Sequence, residues 1–368
     1  MIEFRPLIPD PRPLPPVPRP LIRVLIVEDS RVVRDLLTYI LSSDPDIQVS
    51  GTASNGEEAV KAVRDKRPDV VTMDINMPKM DGFEATRIIM ETIPTPIVIV
   101  SASWDPKEVQ KTFRAMEAGA LATVRKPVGV AHPDYKDQAK ELIQTVKLMS
   151  EVKVIRRQSR IKHGKGIPAG LAVNDLIPST TDVKVVAIGA STGGPPVIET
   201  ILSKLSKDSR APLLIVQHIA PGFVQGFADW LANSCRFPVR IATQHEFPLP
   251  GHAYIAPDDV HMGVDVGGRI VLVKSKPENE WRPAVSYLFR SVAEVFGKNS
   301  VGVLLTGMGK DGAYELKRMK EKGAITIAQD KESCVVYGMP GEAIRLGAAL
   351  HVLTPSSIAA MLADLNKK

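Results

Sequence analysis

From residue 21 onward the chain alternates short apolar runs with amphipathic ones, and a chain patterned this way has few means of burying itself. The runs 21–27, 47–53, 69–73, 97–100 and 122–124 have the length of buried strands. Between the first two, residues 31–41 set Val32, Val33, Leu36, Leu37, Ile40 and Leu41 on one helical face, and similar patterns follow Gly56, Asp81 and Pro106. A closing helix is predicted over 134–149. Five strands separated by helices predict a parallel, doubly wound sheet. A second α/β series begins at 183–189 and continues through 211–217, 301–305 and 324–328, with a hairpin over 264–273 turned by Val266-Gly267-Gly268-Arg269. Two such series in 368 residues predict two domains with mostly parallel sheets.

What lies outside them is compositionally distinct. Eight of the thirty prolines fall in the first twenty residues, so 1–20 reads as an extended, polyproline-like tail. Pro13-x-x-Pro16 and Pro15-x-x-Pro18 have the spacing of an aromatic-groove ligand, but any Pro-rich run contains it, and a spacer is the simpler reading. The domains are expected at 21–145 and 183–368, joined by a basic linker at 146–182. Charge supports that division. Lys plus Arg exceed Asp plus Glu by 47 to 41, giving +6, and residues 140–166 alone hold eight bases and two acids. The excess therefore sits in a helix end and a connector rather than on a folded face, which argues against a nucleic-acid partner. Cys235 and Cys334 form no framework or CxxC pair, and no apolar run of about 18 residues or signal pattern is present. A cytoplasmic monomer without membrane insertion is expected.

Glu28, Asp29 and Asp74 fall at or just after the C-terminal ends of the first and third strands, the edge where open parallel sheets bind ligands. Ser101 ends the fourth strand and Lys126 follows the fifth. Taken singly, each acid reads most simply as a turn or cap residue. Together they are costly without a cation, and carboxylate oxygens suit Mg²⁺ with a phosphoryl oxygen, Lys126 adding a charge and Ser101 a donor. The set fits phosphoryl transfer to Asp74. Glu28-Asp29, Asp74-x-x-Met77-Pro78-x-Met80-Asp81-Gly82, Ser101-Ala102 and Lys126-Pro127 resemble the receiver domain of two-component response regulators, over about 21–145. The resemblance implies a flavodoxin-like five-stranded sheet, a phospho-accepting Asp74, Mg²⁺ held by Glu28, Asp29, Asp74 and the Asn76 carbonyl, and phosphoryl sensing by Ser101 and Lys126. Thr123 stands where many receivers carry an aromatic switch residue.

In the second series, 183–189 runs into Gly189-Ala190-Ser191-Thr192-Gly193-Gly194-Pro195-Pro196. Glycines around a serine at a strand-to-helix turn allow a sharp bend, expose the hydroxyl and leave amides free for an oxyanion. Pro195 and Pro196 are tolerable only in a first helical turn. No Lys follows the glycines and no G-x-G-x-x-G spacing occurs, so phosphate-loop readings fit poorly. Of seven histidines, His218 directly follows the strand 211–217, whereas His252 and His261 read as rim or core residues. Asp311, in a glycine-rich turn after 301–305, is the preferred carboxylate, with Asp258 and Asp259 competing on spacing. An α/β-hydrolase would order its triad Ser, acid, His and needs several strands of its own sheet before the nucleophile, whereas Ser191 ends the first strand of the second series and the preferred His precedes the preferred acid.

Ile188-Gly189-Ala190-Ser191-Thr192-Gly193-Gly194, Gln217-His218-x-x-Pro221-Gly222-Phe223, Pro250-Gly251-His252-Ala253-Tyr254-Ile255-Ala256-Pro257, Leu305-Thr306-Gly307-Met308-Gly309-x-Asp311-Gly312 and Val335-Val336-Tyr337-Gly338-Met339-Pro340 resemble the CheB-type chemotaxis protein-glutamate methylesterases. The resemblance implies a triad of Ser191, His218 and Asp311, oxyanion donors at Thr192 and Met308, and no cofactor for the ester chemistry. It further implies methylated chemoreceptors as substrate, glutamine deamidation as a possible second reaction, and a chemotaxis histidine kinase as phosphodonor. A receiver with a DNA-binding output or a silent scaffold output are the competing classes.

Overall fold

The computed structural model describes residues 20–101, 106–152, 154 and 182–365, with the backbone alone for 106–110. The tail at 1–19 and most of the expected linker lie outside them.

The first sheet contains β1 (Ile22–Val27), β2 (Ile47–Ala53), β3 (Val70–Met73), β4 (Ile97–Ser101) and β5 (Ala122–Arg125). They are parallel throughout, in the order β2-β1-β3-β4-β5. The connecting helices are α1 (Arg31–Ser42), α2 (Gly56–Lys66), α3 (Gly82–Thr92) and α4 (Pro106–Ala118), with α5 (Tyr135–Ser150) closing the series. Helices cover both faces, which is why β3 and β4 are buried at every position. The strand order reverses between β1 and β3, and that crevice receives Glu28, Asp29 and Asp74. Asp81 caps α3 by accepting from the Glu84 amide at 2.9 Å. Gly82 is required by a close approach, since a Cβ there would stand 1.9 Å from the Asp74 carbonyl oxygen. Helix α5 runs to Ser150 with Val146 and Met149 buried, so residues 146–150 belong to the helix rather than to the connector. Their apolar period continues the helical face expected over 134–149.

The second sheet is also parallel, in the order β14-β13-β12-β6-β7-β9-β8. Its strands are β6 (Val185–Ala190), β7 (Leu213–Gln217), β8 (Val239–Ile241), β9 (Ala253–Ile255), β12 (Ser300–Leu304), β13 (Ile325–Gln329) and β14 (His351–Leu353). An antiparallel hairpin of β10 (His261–Val264) and β11 (Ile270–Val273) lies apart, turned where the sequence indicated. The helices are α6 (Gly194–Leu202), α7 (Val224–Cys235), α8 (Val285–Phe296), α9 (Ala313–Glu321), α10 (Met339–Arg345) and α11 (Pro355–Leu365). Strands β8, β9 and β14 have three residues each, too few to show a period. The chain leaves β6 toward β7 and later returns on its other side as β12, so β6 lies at the switch point. A helical DNA-reading module is not what this half forms.

The two units touch through α4 and α5. Phe113 of α4 is buried among residues of the second unit, with ring centroids 5.4 Å from Phe227 and 5.3 Å from Trp230. Glu117 accepts from Trp230 Nε1 at 2.7 Å. Val335 and Val336, from the loop after β13, pack into the apolar cluster that contains Leu142, Val146 and Met149 of α5. Met308 and α5 residues line a shared cleft of about 750 Å³.

Candidate functional site

The C-terminal ends of β6, β7 and β12 bring Ser191, His218 and the 306–312 turn to one edge. Ser191 is fixed through its main chain: its amide donates to the Thr306 carbonyl at 3.0 Å, and its carbonyl accepts from Gly194 N and Gln217 Nε2, both at 2.8 Å. Gly193 caps α6 at φ +79°, where a side chain would be strained and would meet Val335. Pro195 and Pro196 occupy the first turn of α6 as their missing donors require. Ser191 and His218 are both buried.

His218 Nε2 lies 2.9 Å from Asp311 Oδ2. An ionised carboxylate only accepts, so in the neutral ring Nε2 carries the hydrogen and Nδ1 the lone pair. Nδ1 is buried with no hydrogen-bond partner among the described residues. That leaves it as the ring's proton acceptor. One face of the imidazole is covered by Trp281, with centroids 4.1 Å apart and planes 6° from parallel.

Asp311 is buried, and burial works against its charge. His218, Ser286 and Asn279 overcome that and hold its carboxyl down at about 2. Oδ2 accepts from Val285 N at 2.7 Å, and Oδ1 from Ser286 N and Asn279 Nδ2, both at 3.1 Å. Val285 and Ser286 open α8, so the carboxylate meets amides that lack a partner within their own helix and sits at the positive end of the helix dipole. Thr306 ties the turns together, its hydroxyl donating to the Thr192 carbonyl at 3.0 Å and accepting from Val336 N at 2.9 Å. Met308 is exposed, and the amides of Thr192 and Met308 donate no hydrogen bond among the described residues. Those amides are thus free to receive an oxyanion.

The competing acids are elsewhere. Asp258 accepts from Gly222 N at 2.8 Å, and Asp259 pairs with Lys274 and Arg282. His261 is fully buried and structural: Nε2 donates to the Lys276 carbonyl at 3.0 Å and Nδ1 accepts from Ala284 N at 3.2 Å. His252 Nδ1 lies 2.9 Å from the Pro250 carbonyl oxygen. Sequence reasoning missed Asn279, Trp281, Val285 and Ser286. The available signal was Pro283 ahead of the apolar run 285–296, which marks a helix start whose first amides need an acceptor.

In the first unit, Lys126 Nζ lies 2.9 Å from Asp74 Oδ2 and 2.9 Å from Glu28 Oε2. Lys126 is placed by its amide, which donates to the Ser101 carbonyl at 2.8 Å. Burial raises the carboxyl pKa of Glu28 and of Asp74, and Lys126 only partly reverses this. For Lys126 burial opposes the charge, but Asp74 and Glu28 raise its pKa overall. Oxygens of Glu28, Asp29 and Asp74 lie within 4.8 Å of one another. Glu28 Oε2, though near the ammonium, is buried without a well-directed hydrogen bond. The donor set fits a hard divalent cation. Ser101 is buried at the end of β4, and the Asn76 side chain accepts from Lys111 Nζ at 3.1 Å. Thr123 Oγ1 donates to the Met116 sulfur at 3.7 Å.

Two family models match the chain: "Response regulator receiver domain" over residues 24–132 and "CheB methylesterase" over 186–362. Similar proteins of Nitrosospira multiformis and Syntrophus aciditrophicus, each 58% identical over 94% of this chain and covering 97% and 98% of their own lengths, are named protein-glutamate methylesterase/protein-glutamine glutaminase. Among solved structures, the CheB methylesterase catalytic domain of Thermotoga maritima is 40% identical, with a TM-score of 0.48 over 50% of this chain and 98% of that one.

Proposed function

This chain belongs to the CheB methylesterases that carry a response-regulator receiver domain, and from that premise we propose that it hydrolyses glutamate methyl esters on cytoplasmic chemoreceptor segments by a Ser-His-Asp mechanism. The observation that carries the reading is the buried, unpartnered Nδ1 of His218 on a ring whose Nε2 is committed to Asp311. Ser191 Oγ attacks the ester carbonyl as His218 Nδ1 takes its proton, and the amides of Thr192 and Met308 receive the oxyanion. The tetrahedral adduct collapses, His218 protonates departing methanol, and water then releases glutamate from the acyl-serine. With a glutamine side chain the same attack expels ammonia.

The receiver acts as a phosphorylation-controlled lid. Supporting this are the seating of Phe113 between Phe227 and Trp230 and the packing of Val335 and Val336 on the α5 cluster. Glu28, Asp29, Asp74 and the Asn76 carbonyl would hold Mg²⁺, which when bound supplies positive charge beside the phosphoryl oxygens. Asp74 accepts the phosphoryl group from a histidine kinase, Lys126 pairs with it, and Ser101 donates to it. The chain works in the cytoplasm; no helix among the described residues is long and apolar enough to cross a membrane.

Methanol release from methylated receptor, with and without Mg²⁺ and acetyl phosphate, tests both halves. Release should occur and should rise with the phosphodonor; Asp74→Asn should keep the basal rate and lose the rise. A variant that is still stimulated removes Asp74 from its role. Phe113→Ala should raise the unphosphorylated rate about tenfold, since ~1.4 kcal/mol of lost closure suffices for that shift and a buried Phe contributes more. An unchanged basal rate in a normally folded Phe113→Ala chain overturns the lid.

A further inference from the structure

A single hydrogen bond holds one atom of a ring but leaves its plane free to turn. Among the described residues, the His218 ring makes one hydrogen bond, Nε2 to Asp311, and stacks on the parallel indole of Trp281. We infer that Trp281 is a positioning residue for the proposed base, its stacked ring holding the imidazole plane and stabilising the imidazolium that forms as Ser191 loses its proton. This rests on the triad reading above.

The chain around Trp281 is built to hold it. Glu278 and Trp281 exchange both backbone hydrogen bonds, at 3.0 and 2.9 Å, and Asn279 and Glu280 have φ of +50° and +71°, the signature of a tight type I′ turn. Glu280 accepts a conformation that favours glycine or asparagine, so the turn is imposed by its surroundings. Glu278 is held by Arg290 at 2.6 Å, and Arg282 donates to the Ser275 carbonyl at 2.7 Å and pairs with Asp259. His261 bonds the Lys276 carbonyl on one side of the turn and the Ala284 amide on the other. From this braced turn Asn279 reaches Asp311 while Trp281, two residues on, covers His218. One four-residue turn therefore sets both the acid and the base. Trp281 remains 38% exposed, so its alternative role is contact with substrate, and the two roles separate in kinetics.

The full-length chain, Trp281→Leu, Trp281→Phe and Ser191→Ala are compared in two assays: the second-order rate of labelling by a fluorophosphonate, and kcat and KM for methanol release from methylated receptor. Trp281→Leu should label about tenfold more slowly and lose kcat by a similar factor with KM nearly unchanged. Trp281→Phe, which keeps a flat ring, should recover to within about threefold. Labelling of Trp281→Leu at the parental rate, a loss confined to KM, or no recovery in a folded Phe variant each overturns the inference. Undiminished labelling of Ser191→Ala would instead show that the nucleophile itself is wrongly assigned, and the inference would fall with it.

Discussion

Ser191→Ala is expected to reduce kcat for methanol release by about 10⁶-fold, the scale on which a serine-hydrolase nucleophile acts, leaving only what substrate binding and the oxyanion amides supply. The variant is a clean one. Every bond by which Ser191 holds its turn uses main-chain atoms: its amide to Thr306, and its carbonyl to Gly194 and Gln217. Alanine keeps all three, so stability should change by no more than about 1 kcal/mol. A folded variant within tenfold of the parent would remove Ser191 as nucleophile.

The second large effect is expected from Asp311→Asn, which should lower kcat about 10⁴-fold. The carboxylate accepts from Val285 N, Ser286 N and Asn279 Nδ2 as well as facing His218 Nε2. An amide has one accepting oxygen; its NH₂ group must face donors wherever it is turned. If it takes the Oδ2 position, facing His218, the hydrogen moves to Nδ1, the base is lost and Val285 N loses its acceptor; if it takes the Oδ1 position, Ser286 N and Asn279 Nδ2 lose theirs. The same substitution should alter acid stability. A carboxyl lowered from 3.8 to about 2 stabilises the fold by about 2 kcal/mol above pH ~4, and that contribution fades as pH falls through the folded-state value. Thermal unfolding of the parent should therefore lose stability between pH ~4 and ~2 in a component that Asp311→Asn lacks. Parental kcat in the Asn variant would return the orienting role to another acid.

Much of this arrangement was legible before any coordinates. A parallel sheet gathers the C-terminal ends of its strands, so Ser191, His218 and Asp311, each after an apolar run, were candidates for one edge, as were Glu28, Asp29, Asp74, Ser101 and Lys126 for another. The closing helix, expected over 134–149, was legible to within a residue at each end because Val146 and Met149 continue its apolar period, even though Lys147 resembles the connector in charge. Asp258 and Asp259 could not be separated from Asp311 by spacing, since turn chemistry is alike in all three. Only the environment separates them: Asp259 is drawn out to Lys274 and Arg282, whereas Asp311 is enclosed by helix amides.

By itself, then, the sequence determined the two α/β units, the strand ends that carry chemistry and the residue types standing there, because period and turn composition are local properties of the chain. The tertiary structure alone decided that α8 turns its first amides on Asp311, that a turn at Glu278–Trp281 covers His218, and that Phe113 and Val336 join the two units. Those contacts link segments tens to more than a hundred residues apart, and no local pattern records them; they exist only once each core has packed and fixed which surfaces meet.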